Sequence, residues 1–372
     1  MNWKRKLGLF LLLVVLLVIS SLLFQEGSDR IGLYDSHFYY YYQNFRLFLL
    51  GFIPISIGDA LYILGGAMLL VTLVKWVKYL IRFRKYKWQL LASMLRLVSI
   101  VLFVYLIFIW GWGANYYKPG LSKGWNLEDT LWSHSVNKKI RYRKDSAALV
   151  AFDSLLVARL NDYAPHFKSL PFKEINIRAI RFYRTYTDSR VKQYGLGIKP
   201  TYFGYFMERV GVEGYYNPFT GEGQIDTHLP GFTMPFLLCH EMAHQAGIAA
   251  ENDANLLAYA LCSITSDSTF RYSGYLNMWL YVHRRVYHRD TIVANAIEAR
   301  LNRLTAAHID TLEQLSRKYN NEAAEYSTEL YDDYLKMHNQ QQGIKSYGNV
   351  VGAAWQLELR RRKVVDSEIR IP

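Results

Sequence analysis

Along the first third of the chain the apolar positions neither alternate nor recur at helical spacing; they run on. Leu7 to Phe24 is eighteen residues without a charge, most of them aliphatic, directly after Lys4-Arg5-Lys6. A helix of that length crosses the hydrocarbon core of a bilayer. The stretch lacks an Ala-x-Ala cleavage site after Ser20-Ser21, which favours an uncleaved anchor over a signal peptide. Two further apolar runs, at about 60–80 and about 97–114, are expected to span as well. Lys75 and Lys78 fall near one end of the second span, where long stems carry charge to the headgroups.

From residue 115 onward the pattern changes. Asp145–Tyr163 places Leu149, Phe152, Leu155, Leu156 and Leu160 at helical spacing. Residues 200–226 carry Tyr202, Phe203, Val210, Val212, Tyr215 and Tyr216 between Gly211, Gly214 and Asn217-Pro218-Phe219-Thr220-Gly221, which predicts short strands and a hairpin-like turn. Beyond them the spacing predicts helices over 251–264, 274–288, 290–307, 311–320, 323–338 and 347–362. A polar stretch, 337–348 with Lys336 before it, is expected to form a loop able to close over a site. The fold class expected is α+β, mainly helical. It has a membrane region, 1–114, followed by one domain, 115–372, with a small β-sheet.

Charge refines the topology. The net charge of +13 would suit nucleic acid, but much of the excess flanks apolar runs, at Lys4-Arg5-Lys6 and in the loop Lys75, Lys78, Arg82, Arg84, Lys85, Lys87. No nucleic-acid partner is expected. Positive loops stay in the cytoplasm, so three spans leave the domain after residue 115 outside it. The aromatic run His37 to Tyr42 and the segment Trp110 to Tyr117 suit the membrane interface. Asp59 reads as a cap at the start of the second span rather than an intramembrane acid. Two cysteines, Cys239 and Cys262, make no disulfide framework and are expected as buried thiols, with a single bridge between their helices the less favoured alternative. His283 and His288 flank Arg284-Arg285 and read as a solvated basic face.

Candidate chemistry concentrates in Leu238-Cys239-His240-Glu241-Met242-Ala243-His244-Gln245-Ala246-Gly247. In a helix, His240 and His244 lie four apart on one face and can grip one Zn²⁺, with Glu241 beside them to take a proton from a metal-bound water. Thr233 suits the N-cap, Pro235 the first turn and Gly247 the stop. A hydrolytic zinc site needs a third protein ligand and an open position. Glu251 and Asp253 are the carboxylates at hand. Tyr272 and Tyr275 follow as candidates to polarise a substrate carbonyl, although core roles suit both better.

The stretch resembles the active-site helix of zinc-dependent metallopeptidases, the zincins. Glu251-x-x-Ala254-Asn255 is similar to the segment that supplies the third ligand in the gluzincin branch. The resemblance implies His240, His244 and Glu251 as zinc ligands, with Asp253 the alternate, Glu241 as general base, and a peptide or protein substrate. Only six residues separate His244 from Glu251, a spacing shorter than gluzincins use; Gly247 falls where metzincins place a glycine, but Ala250 occupies their ligand position and cannot bind metal. A tight turn at Gly247 would have to bring Glu251 back. In zincins an edge strand before this helix often pairs with an extended substrate.

The chain also resembles, over most of its length, a bacterial family of three-pass membrane proteins of unassigned function. The matching pieces are Pro54-Ile-Ser-Ile-Gly-Asp59, Trp112-Gly-Ala-Asn-Tyr116, Tyr216-Asn-Pro-Phe-Thr-Gly-Glu222, His240-Glu-Met-Ala-His-Gln245, Tyr272-Ser-Gly-Tyr275 and Ser346-Tyr-Gly348. The expectation is a metallopeptidase in the lipid bilayer of the bacterial inner membrane with a periplasmic domain. The alternative is a non-catalytic envelope scaffold or sensor with a structural or vestigial zinc site.

Overall fold

The three apolar runs form long helices in the structure, a computed structural model that describes residues 3–25, 28–127, 138–186, 197–319, 321–338, 340, 343 and 350–369. The expected polar loop 337–348 lies mostly outside the described residues. By proximity the chain divides into two units, Met1–Lys118 with Tyr216–Glu222, and Pro119–Tyr215 with Gly223–Pro372.

In the first unit, α1 (Trp3–Leu23), α4 (Ile57–Ile81) and α5 (Phe83–Gly111) are each long and apolar enough to cross a membrane. They turn Leu11, Leu12, Leu22, Leu64, Met68, Leu70, Val101 and Phe103 outward. An apolar surface of this extent marks a membrane-associated protein. Trp110 Nε1 donates to Ser20 Oγ at 2.9 Å and joins α5 to α1, and Trp76 Nε1 donates to Ser93 Oγ at 2.9 Å and joins α4 to α5. The basic segment is not the expected loop. Only Arg82 separates α4 from α5, and Arg84, Lys85 and Lys87 are helical. Arg and Lys are good helix formers and do not stop a helix. Nor does Asp59 cap α4. Ser56 is the N-cap and its hydroxyl accepts from Asp59 N at 3.0 Å.

Between α1 and α4 lie α2 (Asp29–Leu33), a π-helical turn (Tyr34–Tyr39) and α3 (Tyr40–Leu50). The aromatic run has two faces. Tyr41 is exposed, whereas Tyr39 is fully buried with its ring against Trp112. A buried guanidinium, Arg46, donates to Pro218 O, Gln43 Oε1 and Tyr216 Oη. Glu222 Oε2 accepts from Gly58 N at 2.7 Å, at the open N-terminus of α4. Residues 216–222 therefore belong with the first unit. Gly221, at φ +74°, leaves no room for a side chain, because a Cβ there would meet Gln43 Oε1 at 2.7 Å.

The second unit is a layer of helices beside a three-stranded sheet. Its elements are α6 (Leu121–Gly124), α7 (Lys138–Tyr163), α8 (Phe172–Thr185), β1 (Ile198–Pro200), α9 (Gly204–Arg209), β2 (Gly214–Tyr216), β3 (Gly223–Ile225), α10 (Met234–Gln245), α11 (Glu251–Ile264), α12 (Ser268–Tyr287), α13 (Thr291–Glu298), α14 (Arg303–Tyr319), α15 (Glu322–Met337) and α16 (Val350–Ile369). The sheet order is β1-β3-β2 with β1 parallel to β3, Lys199 opposite Gln224. Tyr202 and Phe203 lead into α9 rather than forming a strand. The single helix expected over 290–307 is two. α13 ends at Glu298, and Asn302 Oδ1 then accepts from Thr305 N at 2.9 Å to start α14. α10 is buried along its whole length, packed between α8, α11, α12 and β3. Cys239 and Cys262 are buried and free.

His283 is not part of a solvated face. It is buried on α12, with Nδ1 3.0 Å from Asp153 Oδ2 on α7 and Nε2 3.3 Å from Glu298 Oε2 on α13. Burial works against the imidazolium, but the hydrogen bond and charge of Asp153, with Glu298 opposite, outweigh it and raise the pKa above 6.5. Such a group stabilises the fold fully below its unfolded pKa, and that contribution is lost as pH rises through the folded value. His283→Gln is therefore expected to destabilise the protein more at pH 5.5 than at pH 9. Urea midpoints of variant and wild type at the two pH values check this; an equal loss at both would contradict it.

Candidate metal centre

The helix that carries the His pair starts without the expected side-chain cap. Thr233 is the N-cap residue, but its hydroxyl donates to Pro230 O at 2.8 Å. Ser273 Oγ from α12 serves instead, accepting from Phe236 N at 3.1 Å. At the other end Gly247 has φ +83°, a conformation that favours glycine. Gly247 N donates to His244 O at 2.9 Å and Ile248 N to Ala243 O at 3.1 Å. This closed turn reverses the chain within three residues and starts α11 at Glu251.

The reversal brings His240, His244 and Glu251 into one buried group. The two Nε2 atoms are 3.1 Å apart, and Glu251 Oε2 lies 3.2 Å from that of His240 and 3.5 Å from that of His244. The other ring nitrogens are already used. His240 Nδ1 donates to Asn255 Oδ1 at 2.9 Å, and His244 Nδ1 donates to Ile248 O at 2.8 Å. Both acceptors can only receive, so each Nδ1 carries a proton and each Nε2 is left to face the centre. Glu251 is fixed from behind, because Tyr331 on α15 donates to its Oε1 at 2.5 Å. Its Oε2 is buried without a donor beyond the two imidazoles. Two imidazoles and one carboxylate, oriented by outer partners and aimed at one point, fit a divalent cation.

The electrostatics agree with that fit. Burial opposes charge on His244, but Glu251 outweighs it and raises the imidazole to about 9 in the metal-free chain. Burial likewise works against the Glu251 carboxylate, but His244 and His240 together hold it well below the usual range. In effect the proton on His244 fills the role of a cation there.

Glu241 lies beside the group, with Oε2 buried and without a hydrogen-bond partner. Burial pushes its carboxyl up to about 7 in the metal-free chain, against the pull of His240 and His244 and with Glu251 and Glu213 adding to it. Gly214 of β2 sits against it; a Cβ there would meet Glu241 Oε1 at 2.7 Å and Gln224 O at 3.0 Å. The strand at the sheet edge thus approaches the carboxylate with its backbone.

Asp253 does not join the group. Its Oδ2 accepts from Leu121 N at 2.9 Å and its Oδ1 from Ser122 N at 3.2 Å, so it anchors the start of α6. Tyr272 Oη lies within hydrogen-bond distance of Thr305 Oγ1 and His308 Nδ1, and Tyr275 packs on Tyr163 and Tyr259; neither hydroxyl is placed in the group. The tyrosines near the centre are Tyr331 and Tyr281, whose hydroxyl receives Asn255 Nδ2 at 3.4 Å. Asn255 had a signal in the sequence, since it lies four residues after Glu251 on the same helical face. Tyr331 had none among thirty tyrosines.

No curated protein and no solved structure matches the chain. A family model does match, over residues 34–354, a stretch that takes in α4, α5, the metal group and every side chain that supports it; the chain belongs to that family, described as "Protein of unknown function (DUF3810)".

Proposed function

We propose that the protein is a membrane-anchored zinc metallopeptidase whose second unit faces the extracytoplasmic, periplasmic side of a bacterial inner membrane. The observation that carries the reading is the convergence of His240 Nε2, His244 Nε2 and Glu251 Oε2 on one buried point, with the orphaned Oε2 of Glu241 beside it. This is the residue set of the gluzincin pattern that the chain resembles. Three nitrogen and oxygen ligands suit Zn²⁺ and leave a fourth position for water.

Bound zinc would supply a water acidified towards pKa about 7 and polarise the substrate carbonyl. Glu241 takes the proton of the attacking water and delivers it to the leaving amine. Its raised pKa in the metal-free chain shows how strongly the pocket resists its charge, and a cation beside it relieves that resistance. Among the described residues β2 is an edge of the three-stranded sheet, and an extended peptide running beside Gly214 would lie next to Glu241, where main-chain pairing gives affinity with little sequence preference. Tyr281, whose pKa burial raises, keeps its proton and can donate to a developing oxyanion. The positively charged segments around α4 and α5 support the orientation.

A non-catalytic scaffold with a structural zinc would explain the three ligands. It does not explain Glu241, whose Oε2 is buried with no hydrogen-bond partner, an arrangement that costs stability and needs another use. The test is hydrolysis of a broad peptide library by the full chain in detergent. Cleavage that a chelator stops and Zn²⁺ restores is expected. An intact library under zinc-loaded conditions would favour the scaffold.

A further inference from the structure

A second group of metal-type side chains lies in the second unit, apart from the three ligands above. Asp226 follows β3 directly, and its N–H donates to Glu213 O at 2.9 Å, which continues the pairing of β3 with the chain before β2. Its side chain is 1 % exposed. Oδ1 accepts from His228 N at 3.0 Å and lies 2.7 Å from His228 Nδ1, while Oδ2 is buried with no hydrogen-bond partner. Glu208, from α9, brings a second carboxylate; ligand atoms of Glu208, Asp226 and His228 all lie within 4.8 Å of one another. Two carboxylates this close repel one another, which a cation between them would relieve, and the orphaned buried oxygen of Asp226 calls for a partner.

The surroundings keep the space open and the ligands oriented. Gly204 lies where a side chain would intrude, since a Cβ would meet Asp226 Oδ1 at 2.6 Å and His228 Nδ1 at 3.0 Å. The ring of Tyr205 stacks on His228 at 4.7 Å. Tyr319 Oη donates to Glu208 Oε2. His228 is half exposed, so an ion would reach the group from solvent and keep water in its remaining positions.

We infer that Glu208, Asp226 and His228 form a second site for a divalent transition-metal cation, which ties α9 to the end of β3. Two oxygens and one imidazole suit Zn²⁺ or Mn²⁺ better than Ca²⁺ or a thiophilic ion. The site is structural in kind. It fixes the chain on either side of the edge strand whose Gly214 approaches Glu241. The inference does not depend on peptidase activity.

The experiment is elemental analysis and titration calorimetry of the full chain in detergent with ZnCl₂ and, separately, MnCl₂. The double variant Glu208→Gln/His228→Ala alters only accessible side chains and leaves Asp226 in place. It is expected to bind about one ion fewer per chain than wild type, and to lose the rise in Tm that this ion gives. In a His240→Ala/His244→Ala background about one ion should remain, and the double variant should remove it. An ion count unchanged by Glu208→Gln/His228→Ala overturns the second site, whatever the first site does. An ion count unchanged by His240→Ala/His244→Ala would instead overturn the first.

Discussion

Glu241→Gln is expected to lower peptide hydrolysis by about 10²–10⁴-fold, the range that a positioned general base contributes, with metal content unchanged. The amide keeps the size of the carboxyl and its packing against Gly214, and it lies outside the three-residue metal group. It cannot accept the proton of the attacking water. The carboxylate also costs stability where it stands, buried with Oε2 unpartnered, so the amide variant is expected to unfold at the same temperature as wild type or higher. That pair of results, activity lost and stability kept, separates a base from a structural residue. Turnover of a peptide substrate and a thermal scan on the same preparation measure both. Wild-type turnover in the variant would remove Glu241 from the mechanism.

Tyr331→Phe carries the second large expected effect. The hydroxyl at 2.5 Å is what holds Glu251 Oε1, and with it the aim of Oε2 at the two imidazoles. Loss of such an outer partner weakens metal binding by about 10–100-fold. Competition against a fluorescent zinc chelator reads this directly. A merely structural tyrosine would lower Tm without moving the zinc affinity, so an unchanged affinity would contradict the assignment. Asn255→Ala, which removes the acceptor of His240 Nδ1, should act in the same direction.

Much of this centre was legible in the sequence because its determinants are local. His-Glu-x-x-His fixes two imidazoles by helical periodicity alone, and Glu251 opens a helix whose bounds, Glu251–Ile264, follow from apolar spacing. What spacing could not decide was the third member. That choice rests on the turn at Gly247, which directs Glu251 towards the imidazoles, and on two backbone N–H groups of α6 that engage Asp253. The missed elements are those set by distant partners. Tyr331 reaches Glu251 from eighty residues away, and Ser273 replaces the cap expected of Thr233. His283 was misread because its neighbours Arg284 and Arg285 are charged, while its own face of α12 turns to Asp153. The segment 82–87 shows the reverse error, since a run of cations suggested a loop where helix-forming side chains continue two long helices.

The three long apolar helices were readable for a simpler reason. Span-length apolar runs have few alternatives once they are helical, and their outward side chains leave the first unit an apolar surface. Sequence gave no hint that residues 216–222 belong with that unit. They do so through Arg46, Gln43 and Gly58, polar groups drawn from a segment that reads as interface aromatics.

The central claim is the metal group itself, and zinc content tests it most directly. The full chain would be purified in detergent, loaded with Zn²⁺, desalted and measured by elemental analysis, as wild type and as His240→Ala, Glu251→Ala and Asp253→Ala. The account predicts that His240→Ala and Glu251→Ala each bind about one zinc fewer per chain, whereas Asp253→Ala keeps the wild-type content and loses only stability. The same zinc content in wild type and His240→Ala would contradict it.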